Sequence, residues 1–281
     1  MQVAKKMIRD QLASIFPKQE IESLTRLIFE KVLGLSPIQI HLNQKETISA
    51  ANLAQIKEII NRLTQFEPIQ YVLGETEFYN SLFKVNPSVL IPRPETEELV
   101  DWIIKDNKEL TPAILDIGTG SGCIPVSLVK NLPGASANGW DISPDALVVA
   151  TLNAQINCVK VDFECVNILE PIETRHYGKY DIIVSNPPYV TISEQPFMQP
   201  NVINFEPHLA LFVPDTDPLI FYRKITDLAA CLLKEKGSVY FEINEKYGAE
   251  TAELLHTKGF INILIKKDIN GKERMIKGEK Q

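Results

Sequence analysis

Apolar residues recur at helical spacing over 2–16, 20–34 and 46–66, then give way beyond residue 113 to short apolar runs alternating with helical patterns. Leu24, Leu27, Ile28, Val32 and Leu33 mark one helical stripe, and Leu53, Ile56, Ile59, Ile60 and Leu63 another. Ser36-Pro37 separates the second helix from the next segment. These stripes predict a small helical domain over residues 1–67. A unit of that size buries a modest fraction of its surface and is marginally stable alone.

Residues 68–93 read as a connector in which Phe78 to Val85 forms a short hairpin. Pro94 opens a helix whose first turn holds Glu95, Glu97 and Glu98, a placement that suits the helix dipole as well as it suits catalysis. Arg93 is expected to pair with that acidic turn. Strands are predicted at 113–117, 136–141, 161–167, 180–185, 238–244, 261–269 and 272–278, with helices at 122–131, 144–157, 218–235 and 247–258. The alternation implies a mixed α/β domain over 94–281. Asn270-Gly271 between the last two strands predicts a two-residue type I′ turn.

Composition narrows the partners. The 36 acidic side chains outnumber 29 basic ones, a net charge of −7, which disfavours a surface built to neutralise phosphates. Cys123, Cys158, Cys165 and Cys231 form no C-x-x-C pair and read as reduced core cysteines. His41, His176, His208 and His256 are scattered without metal-ligand spacing, so no metal is expected. Arg9 and Asp10 interrupt the first apolar stripe, no run reaches membrane-spanning length, and a cytoplasmic protein is expected.

The chemistry gathers at predicted strand ends. The strand Ala113 to Ile117 runs into Gly118-Thr119-Gly120-Ser121-Gly122, whose alternate glycines let the backbone turn sharply and approach a ligand closely. A dinucleotide fingerprint would place a glycine where Cys123 stands, and Asp116, aimed into the loop, would repel a pyrophosphate and attract a cation. Asp141 ends the next strand, where an acid accepts hydrogen bonds from a ribose diol. A nucleoside carrying a cation but no pyrophosphate describes S-adenosylmethionine.

Asn186-Pro187-Pro188-Tyr189 follows the apolar run from Tyr180 to Ser185. Prolines lack N–H groups and push their predecessors out of the α region, so backbone carbonyls are left free beside one amide and one ring. An ordinary strand-to-loop exit has the same signature. As a site, it suits a planar NH2 group: carbonyls accept its two hydrogens and Tyr189 walls its face.

Together, the glycine loop with Asp116, then Asp141, then Asn186-Pro187-Pro188-Tyr189 resemble class I methyltransferases acting on amide or amino nitrogen. Pro68 to Gly74, Phe78, Ile91 to Glu97 and Phe205 to Leu211 are similar to the corresponding blocks of release factor glutamine N5-methyltransferases. The resemblance implies a Rossmann-like, mostly parallel sheet closed by an antiparallel C-terminal hairpin, with an N-terminal helical domain that recognises the protein substrate. It implies S-adenosylmethionine held by Asp116, Gly118 to Gly122, Asp141 and the pair Asn167-Ile168, which stands where many members have an acid and a ring. The substrate glutamine, from the Gly-Gly-Gln motif of release factors, would meet Asn186, Pro187, Pro188 and Tyr189, with Arg93 and Glu206 at the entrance. Glu206 reads equally as a surface salt bridge. The competing reading is an adenine N6-methyltransferase of nucleic acid, whose acceptor amine fits the same carbonyls.

Overall fold

A computed structural model describes residues 1–43, 46–172 and 178–281; His176 lies outside them. The chain forms two compact units, Met1–Glu75 with Gln199–Phe205, and Thr76–Met198 with Glu206–Gln281. The expected connector over 68–93 is thus divided between them.

The first unit is helical: α1 (Gln2–Leu12), α2 (Lys18–Leu33), α3 (Pro37–Leu42), α4 (Ala50–Thr64), α5 (Ile69–Leu73) and, later in the chain, α9 (Pro200–Phe205). Ile8, Leu12, Ile28, Phe29, Ile56 and Ile60 are fully buried in one cluster, the core sides of the stripes read from the sequence. Gly34, at φ 65°, ends α2 in the left-handed conformation that glycine adopts without strain. Helix α3 comes directly after: the Ser36 hydroxyl accepts from the Gln39 N–H while the Gln39 side chain accepts from the Ser36 N–H.

The second unit carries β1 (Glu75–Phe78) and β2 (Ser81–Lys84), then α6 (Pro94–Asn107), β3 (Ala113–Ile117), α7 (Cys123–Asn131), β4 (Ser136–Asp141), α8 (Pro144–Ile156), β5 (Asp162–Cys165) and β6 (Tyr180–Ser185). After the short pair β7 (Val190–Thr191) and β8 (Phe212–Val213) come α10 (Ile220–Leu232), β9 (Leu233–Glu242), α11 (Gly248–Thr257), β10 (Phe260–Lys267) and β11 (Glu273–Lys280). Among the described residues, seven strands form one sheet in the order β10-β11-β9-β6-β3-β4-β5. The five from β9 to β5 run parallel, and β11 and β10 close the edge antiparallel.

Strand alternation explains why both faces are covered. Ile114, Ile182, Val184 and Tyr240 pack on one face with residues of α6, α7 and α8. Leu115, Ile183, Val239 and Phe241 pack on the other with α10 and α11. Both faces being apolar, the central strands read as unbroken hydrophobic runs.

The last turn of the sheet differs from expectation. The hairpin β10–β11 is not a type I′ turn, because only Gly271 has positive φ and Asn270 does not. Asp268 reorganises it: its Oδ1 accepts from the Asn270 and Lys272 N–H groups and its Oδ2 from Arg274. Asx side chains commonly build turns this way. The type I′ pattern occurs instead at Tyr79-Asn80, φ 46° and 56°, between β1 and β2.

Candidate active site

The chain leaves β3 toward β4 and β5 on one side and toward β6 and β9 on the other, so the strand order reverses beside β3. Ligands in open α/β sheets bind at such a reversal, outside the carboxyl ends of the strands. A cavity of about 1220 Å³, mouth included, occupies that position. Its walls include the loop Gly118–Ser121, Asp141, Asn167-Ile168, and Asn186-Pro187-Pro188. Residues scattered over 70 positions of sequence therefore converge, because β3, β4, β5 and β6 all end at one edge.

The glycine loop is held by its own backbone. The Gly118 and Thr119 N–H groups both donate to the Trp140 carbonyl, at 2.8 and 2.9 Å. Gly122, at φ 76°, precedes α7, and a Cβ there would stand 3.1 Å from the Ala150 Cβ; that close approach is how α7 and α8 are seated. Cys123, at the position where a dinucleotide fingerprint has glycine, is buried, and burial pushes its thiol up to about 12, so it is chemically quiet. Two of the other three cysteines depart from the expected core placement, and Cys231 is half-buried. Cys158 and Cys165 are exposed, one past the end of α8 at φ 55° and one on the edge strand β5.

Asp116 does not line the cavity. It is fully buried, and neither carboxylate oxygen has a hydrogen-bond partner among the described residues; nor does the Thr119 hydroxyl. Burial pushes its carboxyl up to about 7, opposed by Thr119 and reinforced by the Asp141 charge. A buried acid with no partner fits a cationic ligand bound above it, since opposite charge offsets the loss of hydration. Asp141 does line the cavity. Its Oδ2 accepts from the Gly120 N–H at 2.8 Å and its Oδ1 from Ser143 at 2.9 Å. Burial raises its pKa while these backbone donors lower it. Asn167 is engaged within its own turn, donating to Glu170 at 2.9 Å and accepting from the Leu169 N–H at 3.1 Å.

At the other wall, the Asn186 Nδ2 donates to the Thr96 Oγ1 at 3.2 Å, and Thr96 donates to the Glu242 Oε2 at 2.6 Å. The Tyr189 hydroxyl donates to the Glu242 Oε1 at 3.0 Å. Tyr189 is consequently not a wall of the cavity, contrary to expectation: its hydroxyl is drawn inward to the carboxylate and its ring packs into the α10–α11 face of the core. The Asn186 Oδ1 and the Pro187 carbonyl receive no hydrogen bond from a described residue.

Arg93 lines the cavity but ignores the acidic turn next to it, pairing at 2.5 Å with the Glu206 Oε1. The Glu206 Oε2 accepts from the Ile91 N–H at 3.1 Å. Glu206 is 4% exposed, a buried tether rather than a surface pair. The acidic turn has structural uses: Glu97 accepts from the Tyr79 N–H and Glu98 from Ile269.

Sequence reading missed Thr96 and Glu242. One signal was present for Glu242, an acid inside the apolar run Val239-Tyr240-Phe241-Glu242-Ile243.

Comparison with known proteins agrees with this geometry. Residues 96–203 match the methyltransferase small domain family, and residues 5–74 the PrmC N-terminal domain family. A release factor glutamine methyltransferase of Flavobacterium psychrophilum is 49% identical over 270 residues, covering 95% of this chain and 94% of its own. Another, from Bacteroides thetaiotaomicron, is 45% identical over 269 residues, covering 96% of each. Among solved structures, a methyltransferase from Pyrococcus furiosus superposes with a TM-score of 0.52 at 16% identity, covering 83% of this chain and 99% of that one. A T. thermophilus 16S rRNA N2 methyltransferase, solved with AdoMet and guanosine, gives 0.52 at 17% identity, covering 74% and 50%. Identities this low speak for the fold alone. The two long relatives, matched nearly end to end, decide the family: this chain belongs to the release factor glutamine methyltransferases.

Proposed function

We propose that this chain transfers a methyl group from S-adenosylmethionine to the side-chain amide nitrogen, N5, of the glutamine in the Gly-Gly-Gln motif of peptide chain release factors. The observation that carries this reading is the pair of undonated acceptors, the Asn186 Oδ1 and the Pro187 carbonyl, in a segment lining the glycine-loop cavity. A primary amide offers two N–H groups to two such acceptors. Its nitrogen is a weak nucleophile because the lone pair is delocalised into the carbonyl. Accepting both hydrogens fixes the direction of that lone pair and stabilises positive charge as it develops on nitrogen. Acceptors aimed at developing charge do the work, with no basic side chain required.

The cosubstrate would lie against Gly118–Ser121, with Gly122 packed behind on Ala150, its cationic end on the side of Asp116, its ribose diol on Asp141 and its adenine against Asn167-Ile168. When bound, it supplies a methyl group activated by a sulfonium. Asp141 is oriented for a diol by its two backbone donors, which leave further lone pairs on both oxygens. Arg93 and Glu206 hold the segment at Ile91 in place.

The helical unit would recognise the protein substrate, because one glutamine side chain offers far less contact than the roughly 800 Å² per partner of a stable interface. Its surface supports this: a cleft of about 1020 Å³, mouth included, is lined by Lys5, Lys6, Arg9, Lys18 and Arg26 with a single acid, Glu22. In a chain of net charge −7, such a basic cleft is a local departure that would steer an acidic segment. The test is incubation with methyl-labelled S-adenosylmethionine and, in parallel, release factor, release factor with its Gly-Gly-Gln glutamine replaced by alanine, and total RNA and DNA. Label only in the unaltered release factor is expected. Label in nucleic acid alone would replace this reading with adenine N6 methylation.

A further inference from the structure

Glu242 does not itself line the cavity, yet the Asn186–Tyr189 segment is gripped at both ends by its carboxylate, at Asn186 through the lining residue Thr96 and at Tyr189 directly. We propose that Glu242 is a positioning residue that, acting through the Thr96 hydroxyl, fixes which end of the Asn186 amide faces the substrate nitrogen. The inference rests on the methyl-transfer reading and deepens it.

The argument is one of donors and acceptors. A carboxylate accepts only, and a threonine hydroxyl has one proton to give. At 2.6 Å to the Glu242 Oε2, that proton is committed to a short, charge-assisted bond. Toward Asn186, Thr96 is therefore left with lone pairs alone and can only accept. The NH2 end of the amide must face Thr96, at 3.2 Å, and the oxygen end faces away. A reversed amide would set two acceptors against each other with no proton between them. An oxygen end turned to the substrate accepts its N–H, whereas an NH2 end would oppose the substrate's own hydrogens. Polarity set at a buried carboxylate is thus passed through one hydroxyl to the atom that meets substrate.

The rest of the network supports a fixed carboxylate. The Tyr189 hydroxyl donates to its other oxygen, and the Tyr222 hydroxyl donates to the Glu242 backbone carbonyl at 3.1 Å. Glu242 lies at the end of β9, a strand paired on both sides, by β6 and β11. Burial raises the Glu242 pKa, and the Thr96 and Tyr189 hydroxyls, then the charge of Arg274, whose guanidinium bonds the Ile243 carbonyl and Asp268, oppose that rise. A polar group so fully buried is expensive unless its bonds are complete, and here each oxygen has its donor.

Four variants test the relay: E242Q, T96V, T96S and the double variant E242Q/T96V. A glutamine at 242 keeps the shape but must present an NH2 to one of the two hydroxyls; facing Thr96 is favoured, because the Thr96 proton can then go to a reversed Asn186 oxygen, whereas the Tyr189 proton has no other acceptor among the described residues. We expect kcat on release factor to fall at least tenfold in E242Q and in T96V, with KM and S-adenosylmethionine affinity within about threefold of wild type. T96S, which keeps the hydroxyl, should recover most of kcat, and the double variant should be no worse than the poorer single one. Without any substrate, the 1H–15N resonances of the Asn186 side-chain NH2 should move in E242Q and T96V but not in T96S. Wild-type kcat in E242Q, T96S as poor as T96V, multiplying losses in the double variant, or unmoved resonances would each overturn the relay. Absence of wild-type turnover on release factor would instead overturn the substrate reading, and the resonances would still decide the relay.

Discussion

Asp116 is costly where it stands. Its carboxyl sits at about 7 in the folded chain against an ordinary 3.8, so the folded protein keeps a proton that the unfolded chain releases. Folded stability therefore falls as pH rises from about 4 to about 7, by on the order of 4 kcal/mol in total. Asp116→Asn should accordingly raise the melting temperature of the ligand-free protein at pH 8 while weakening S-adenosylmethionine binding, as calorimetry would measure. A bound cation favours the ionised form, so wild-type affinity should rise about fivefold between pH 6 and 7, and the variant's should stay flat. Asn186→Ala addresses the other half of the site. Loss of one acceptor aimed at developing charge should cut kcat about 100-fold and leave cosubstrate affinity within a few-fold. An unchanged kcat would remove the acceptor role. Both residues were identifiable from local pattern alone, Asp116 by the glycines after it and Asn186 by the two prolines. Thr96 and Glu242 were not, because 146 positions of sequence separate partners joined by one 2.6 Å bond.

At the scale of elements, the stretch between β6 and α10 is where structure adds most. Glu206 ties it to Ile91 and Arg93. Glu206→Ala would leave the Ile91 N–H and a partly buried guanidinium without their acceptor. Discounted for the one-third exposure of Arg93, a loss of about 2 kcal/mol is expected in denaturant unfolding. Glu206→Gln, which still accepts from Ile91, should lose less. Equal stability of all three proteins would make the tether incidental. The long helices and central strands announce themselves through repeated apolar positions. Short elements do not: α3, α5, α9 and the 3-10 turns Ile192–Phe197 and His208–Ala210 span six residues or fewer, too few for a period to register. Turn type escaped for a related reason. Asn270-Gly271 has the favoured local sequence, but the Asp268 carboxylate supplies competing acceptors and decides the turn.

For the whole molecule, the division of labour is the testable point. Reversing Lys5, Lys6, Arg9 and Arg26 to glutamate should raise KM for intact release factor at least tenfold, with more effect at low salt. Turnover of a short Gly-Gly-Gln peptide and S-adenosylmethionine affinity should not change. Equal effects on protein and peptide would deny the helical unit a part in recognition. The helical first part, the α/β second part, the strand-end motifs and, through them, the family are legible along the chain, because periodicity and backbone-demanding residues act over a few positions. Folding alone settles that Asp116 is buried off the cavity wall, that Arg93 turns to Glu206, and that Tyr189 and Thr96 meet on Glu242. Those outcomes depend on which side chains the folded sheet brings within about 3 Å of a buried charge, and burial makes each such bond worth forming.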